Sequence, residues 1–123
     1  MLKLCKNAGM VTVYGIPSCD TVKKARAWLA DHGVAHVFHD FKKQGVPAER
    51  LAVWEQAVGW EKLLNRQGTT WRQLAPQLQA SATDAASAQA VMLAHPSVIK
   101  RPVVEWGSAV TAGFNAADWD GRL

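Results

Sequence analysis

Cysteine is scarce in this chain: two residues in 123, at positions 5 and 19. Two cysteines so placed cannot assemble a structural zinc or iron–sulfur set, and Val22 stands where a Cys-x-x-Cys pair would need its second cysteine. No metal set is therefore expected, and no dithiol exchange within one motif. No apolar run approaches the roughly 18 residues of a transmembrane helix, so no membrane contact is expected. The opening MLKLCKNAG is too short for a secretory signal and lacks its apolar centre. Charge of one sign is not blocked together either. Lys and Arg number 14 against 10 Asp and Glu, for a net +4, yet the densest basic groups are only Lys23-Lys24-Arg26, Lys42-Lys43 and Lys100-Arg101. With no zinc-finger, RNP-like or helix-turn-helix pattern beside them they read as solvated faces, and no direct nucleic-acid binding is expected. Histidine adds no metal site. His36 and His39 fall on opposite faces of a strand, and Gly33 breaks any helix that would align His32 with His36.

The remaining composition, 49% hydrophobic and 20% charged, is that of a globular protein with one adequate core. A cytoplasmic location is expected. Met10 directly precedes the first strand, so residues 1–9 are read as a flexible N-terminal arm and residues 10–123 as a single domain. A reducing compartment argues against a Cys5–Cys19 disulfide.

The stretch VTVYGIPSCDTVKKARAWLA, Val11 to Ala30, organises the rest. Val11 to Tyr14 is β-branched and aromatic, as a buried strand should be, and Gly15 with Pro17 ends it. From Thr21 the residues favour helix, with Val22, Ala25 and Leu29 on one face and Gly33 as a left-handed stop. Cys19 thus sits at a helix mouth, where unpartnered N–H groups and the macrodipole stabilise a thiolate. Cysteines so placed have pKa values lowered from about 8.5 to roughly 3.5–7.5. Lys23, Lys24 and Arg26 add to the effect and Asp20 opposes it, so Cys19 is expected to be the reactive thiol.

His36 to Phe41 reads as a second strand, parallel to the first, leading into a polar turn at Lys42-Lys43-Gln44-Gly45. Helical pieces come next. Pro47 suits a first turn before the Leu51, Trp54, Val58 stripe that ends at Gly59; Trp60 to Asn65 is a short piece; Thr70 caps another through Trp71 and Leu74; and Ser81-x-x-Asp84 resembles a capping box before Ala85 to Ala94. Five of the six tryptophans, Trp28, Trp54, Trp60, Trp71 and Trp119, lie in expected helices, and core is the expected place for them. The last quarter returns to strand, Val98 to Glu105 and Ala109 to Thr111 forming a hairpin, before Asn115 caps a final short helix through Trp119. The sum is β-α-β, a helical insertion, then β-β-α. This is an α/β chain of thioredoxin-like topology, with a four-stranded mixed sheet and an inserted helical subdomain; its core covers residues 10–45 and 97–123, and its insertion residues 46–96.

YGIPSCDTVKKARAWL resembles the active-site segment of the arsenate reductase (ArsC) family, most closely its YffB- and Spx-like branch. The resemblance extends through LLNRQGTTWRQL, Leu63 to Leu74, and HPSVIKRPVVEWGSAVTAGF, His95 to Phe114. It implies that Cys19 is the nucleophile and that Arg101, in Lys100-Arg101-Pro102, holds an anionic substrate. Ser18, Asp20, Thr21, Arg66 and Pro102 are the implied substrate-binding residues, although Asn65 could occupy the place matched to Arg66. The resemblance also implies a cis Arg101–Pro102 bond, against which a peptide-like thiol substrate could pair. The family's third arginine has no counterpart in Ser108-Ala109-Val110-Thr111. That absence counts against arsenate, because a tetrahedral dianion needs two or three forked donors.

A single cysteine needs an external thiol to resolve its mixed disulfide. The expected activity is therefore a glutathione-dependent thiol reductase or arsenate reductase-like oxidoreductase, with no bound cofactor, glutathione as co-substrate, and a small thiol or oxyanion as its partner. The alternative is a Spx-like RNA polymerase-binding regulatory protein without catalytic activity.

Overall fold

Strand β1 (Val11–Gly15) is buried along most of its length, and the reason is its central place in a four-stranded sheet of order β2-β1-β3-β4. The computed structural model describes residues 11–107 and 109–122. Cys5, the expected arm at 1–9, Met10 and Ser108 lie outside the described residues. In chain order the further elements are α1 (Asp20–Asp31), β2 (His36–Asp40), α2 (Phe41–Gln44), α3 (Ala48–Val58), α4 (Trp60–Leu63), α5 (Thr69–Gln73), α6 (Pro76–Ser81), α7 (Ala85–Ala94), a 3₁₀ turn (Pro96–Val98), β3 (Val103–Glu105), β4 (Val110–Ala112) and α8 (Ala116–Asp120). The chain divides into two units. One comprises the described residues up to Gln44 with those from Arg101 on, and the other runs from Gly45 to Lys100.

In the sheet unit, β1 pairs parallel with β2 and antiparallel with β3, and β3 pairs antiparallel with β4. A parallel pair needs a crossover, which α1 supplies. Its buried residues Val22, Ala25 and Leu29 recur at i, i+3 and i+7, one helical face. The helix ends at Asp31, and Gly33, at φ 68°, turns the chain so that the Val34 amide reaches the Leu29 carbonyl at 2.9 Å. Val11 and Val13 share one face of β1 and join Ala25, Leu29, Val104 and Trp119 in a single cluster. The other face carries Tyr14, whose hydroxyl donates to Glu105 at 2.9 Å and whose ring lies 5.0 Å from that of His39.

Strand β2 stops one residue short of the expected Phe41, and the chain turns there into the short helix α2. The physical reason is Asp40: its carboxylate accepts from the Lys42 amide at 2.8 Å, its own amide donates to Gln44 Oε1 at 3.1 Å, and the closed turn buries Phe41. The expected strand from Val98 is likewise shortened. Val98 lies in the 3₁₀ turn, Ile99 bridges Leu64, and the Lys100 amide donates to the Leu63 carbonyl at 2.7 Å, so these residues serve the helical unit and β3 begins only at Val103.

Within the helical unit, Leu51 and Trp54 form the buried stripe of α3, with Pro47 one position before the first turn. Gly59, at φ 90°, ends α3 and opens α4. Gly68, and not Thr70, precedes α5 as its N-cap. The helix α6 has no counterpart among the expected elements, its Gln- and Ala-rich composition giving no stripe; Pro76 sits in its first turn and Gln79 Nε2 donates to the Trp71 carbonyl at 2.7 Å. Because Ser81 ends α6, bonding back to the Leu78 carbonyl, the capping box falls three residues later: Asp84 accepts from the Ser87 amide at 2.9 Å and Ser87 Oγ accepts from the Asp84 amide at 3.1 Å. Those Ser87 bonds hold the Asp84 carboxyl below its usual range. Of the tryptophans, Trp54 and Trp119 are fully buried, whereas Trp60 and Trp71 are only half-buried.

Glu55 on α3 has one carboxylate oxygen buried with no hydrogen-bond partner among the described residues, and burial pushes its pKa up from 4.5. The folded state therefore holds this proton more tightly than the unfolded chain does, and stability is lost as pH rises through the folded value. Glu55→Gln should raise the thermal midpoint at pH 7 by about 1–3 °C, discounted for a partly exposed group, with the gain fading toward pH 4. Calorimetry across that range checks it; an unchanged or lower midpoint at pH 7 would contradict it.

Candidate active site

The loop from Gly15 to Cys19 owes its shape to a close approach between strand and helix. A Cβ on Gly15 would lie 2.8 Å from Cγ2 of Val22, so only glycine lets the first turn of α1 settle against the end of β1. Beyond it the Cys19 amide donates to the Ile16 carbonyl at 3.1 Å, and the Cys19 carbonyl accepts from Lys23 at 3.0 Å as the first bond of the helix. Cys19 is thus the N-cap residue, with φ −75° and ψ 126° and no side-chain capping bond. Its thiol is free and half-buried, while Ser18, Asp20 and Thr21 around it are exposed. The amides of Asp20, Thr21 and Val22 have no intrahelical acceptor in this geometry, so the first turn presents donors beside the sulfur.

Arg101 and Pro102 reach the same end of the sheet through the register. Tyr14 pairs with Val103 as the last step of the antiparallel β1–β3 ladder, so Arg101 and Pro102, which lead into β3, lie at the end of the ladder where Gly15 and Ile16 leave β1. The Arg101–Pro102 peptide is cis, and the Pro102 carbonyl is occupied by the Gly113 amide at 2.8 Å. Arg101 is half-buried and has no carboxylate partner among the described residues. The surface salt bridge that could have explained an arginine here is therefore absent among those residues.

The structure thus brings Ser18, Cys19, Asp20, Thr21, Arg101 and Pro102 into the sheet unit, at one end of its strands. Arg66 belongs to the helical unit. Its guanidinium lies over the rings of Trp60 and Trp71, 5.4 and 5.9 Å from their centroids. Asn65, the other candidate for that place, is engaged in the loop: its amide donates to the Val98 carbonyl at 2.7 Å and its side-chain oxygen accepts from Gln67 at 3.1 Å. Where the family's third arginine is missing, Thr111 accepts from the indole N–H of Trp106 at 2.9 Å. Among the described residues no three His, Cys, Asp or Glu gather as a metal site, and no helix is long and apolar enough to cross a membrane. Sequence reasoning missed Gly15 as the residue that sets the loop, and the signal available was a glycine at a strand end followed by a helix.

The ArsC family profile matches residues 14–121. An uncharacterized protein of Haemophilus influenzae is 42% identical over 110 residues, covering 89% of this chain and 96% of its own. A global transcriptional regulator Spx of Streptococcus agalactiae is 28% identical over 108 residues, covering 86% and 77%. Among solved structures, a YffB protein is 46% identical and superposes with a TM-score of 0.88 over 93% of this chain and 99% of its own. With its thioredoxin-like sheet and Cys19 at the mouth of the first helix, this chain belongs to the ArsC family, in the YffB- and Spx-like branch.

Proposed function

We propose that this protein is a single-cysteine thiol reductase that uses glutathione as its resolving thiol. The observation that carries the reading is Cys19: a free, half-buried thiol at the N-cap of a twelve-residue helix, with no capping duty of its own. The Cys19 thiolate attacks the disulfide of an oxidised substrate R–S–S–R′, forming Cys19–S–S–R and releasing R′–S⁻. One glutathione thiolate then attacks the R sulfur, giving R–S–S–glutathione and restoring the Cys19 thiolate, and a second glutathione releases R–S⁻ as oxidised glutathione forms. Two glutathione thiols thus supply the two electrons. Arg101 orients the anionic end of the substrate, Ser18, Asp20 and Thr21 border the reacting sulfur, and Pro102 forms the opposite wall. Arsenate is the weaker substrate in this reading, because Thr111 cannot replace a forked donor.

The test is a turnover assay on a small mixed disulfide with glutathione as reductant. Arg101→Lys keeps the charge and loses the fork, so kcat/KM should fall about tenfold, mostly through KM; an unchanged value removes Arg101 from the site. A second reading is favoured by the similarity to Spx: a regulatory protein that docks on RNA polymerase, with Cys19 as a sensor. It predicts co-purification with polymerase by a Cys19→Ser variant and no glutathione turnover by the wild type.

A further inference from the structure

The reductase reading leaves a surface of the helical unit unused, and its chemistry is specific. Arg66 is exposed, while Trp60 and Trp71 on either side of it are half-buried. Cation–π contact with both rings sets the guanidinium beside the indoles, and because the residue is exposed its N–H groups remain open to a ligand. Neither indole N–H has a hydrogen-bond partner among the described residues, and Arg66 has no carboxylate partner there. The surface therefore offers donors without acceptors, framed by aromatic rings.

The support beneath it is bonded in place. Leu64 bridges Ile99, the Asn65 amide bonds the Val98 carbonyl at 2.7 Å, and a Cβ at Gly68 would come within 3.0 Å of the Asn65 side-chain nitrogen. A loop so fixed loses little entropy on binding. Charge gives the direction: the segment from Trp60 through Arg72 carries Lys62, Arg66 and Arg72 against a single acid, Glu61.

We infer that Trp60, Arg66 and Trp71 form a docking point for an acidic segment of a partner protein, one carboxylate held by the Arg66 fork and a neighbouring apolar side chain against the indoles. Tryptophan and arginine are the residue types that dominate binding energy at protein interfaces. A single exposed guanidinium suits one carboxylate better than the row of phosphates in nucleic acid, which would ask for a basic track.

The experiment uses the full chain and a fluorescein-labelled peptide of aspartate and glutamate around a central phenylalanine, read by anisotropy and by the indole N–H signals in NMR. The Trp60 and Trp71 signals should move. Arg66→Ala should weaken binding on the order of tenfold and Arg66→Lys about threefold. Arg26→Ala, which removes an arginine over the Phe38 ring in the other unit, should change nothing. Still indole signals, or an Arg66→Ala variant that binds like wild type, overturn the proposal. So does free glutamate that reproduces the shifts, or a single-stranded DNA of equal charge that binds more tightly. Cys19→Ser should bind the peptide unchanged, so a failed docking site and a failed reductase reading are told apart.

Discussion

Cys19→Ser is expected to abolish glutathione-dependent turnover, by a factor on the order of 10³ or more, while Cys5→Ser leaves it intact. A serine hydroxyl is not ionised near neutral pH and is a poor attacking group without an adjacent base, whereas cysteine sulfur is intrinsically the far stronger nucleophile and the atom that disulfide exchange requires. The loss should come without unfolding, because Cys19 contributes no capping bond and is half-buried. Intact mass after treatment with oxidised glutathione gives an independent reading: one glutathionyl adduct on wild type and on Cys5→Ser, none at position 19 in Cys19→Ser. Should turnover survive in Cys19→Ser, or the adduct track Cys5, the catalytic reading falls and the docking reading replaces it.

Arg101 and Cys19 lie far apart in sequence, yet a short ladder joins them, since the Tyr14–Val103 pairing fixes where Arg101 stands relative to the end of β1. The first half of that relation is legible from local signals. Val11 to Tyr14 announces a strand by β-branching, Gly33 announces a helix stop, and Asn115 announces the last cap, which the structure shows accepting from the Asp118 amide at 3.1 Å. Where two polar residues compete for one role, local signals point to the wrong one. Ser81 and Asp84 both suit an N-cap; the choice falls to tertiary context, because α6 already uses Ser81 at its end. Phe41 looks like strand because it is aromatic, but Asp40 closes a turn that buries it. The Trp60–Arg66–Trp71 arrangement is least legible, as it depends on a loop pinned by Val98 and Ile99, more than thirty residues away in the chain.

Trp119→Ala should destabilise the protein by about 3–5 kcal/mol, the upper range for a large core side chain. Trp119 is 1% exposed and belongs to the cluster that includes Val11, Val13, Ala25, Leu29 and Val104. Its ring meets Phe114 at 4.7 Å, Trp106 at 5.0 Å and Trp28 at 5.6 Å, all edge-on, and each such pair adds roughly 0.5–1.5 kcal/mol beyond the area buried. The helix that carries it has five residues, too few to be stable alone, so α8 is held mainly by this one ring and the Asn115 cap. Removing the ring leaves a void against Ala25 and Leu29, the residues that seat α1, the helix whose mouth holds Cys19. Asn115→Ala should cost only about 1 kcal/mol, and Trp119→Phe should fall between the two. Urea unfolding by circular dichroism measures all three, and amide exchange should show α1 losing protection in Trp119→Ala. A loss below about 1 kcal/mol for Trp119→Ala would mean that α8 does not secure this core, since 3–5 kcal/mol is a large share of the roughly 5–15 kcal/mol that keeps a domain folded.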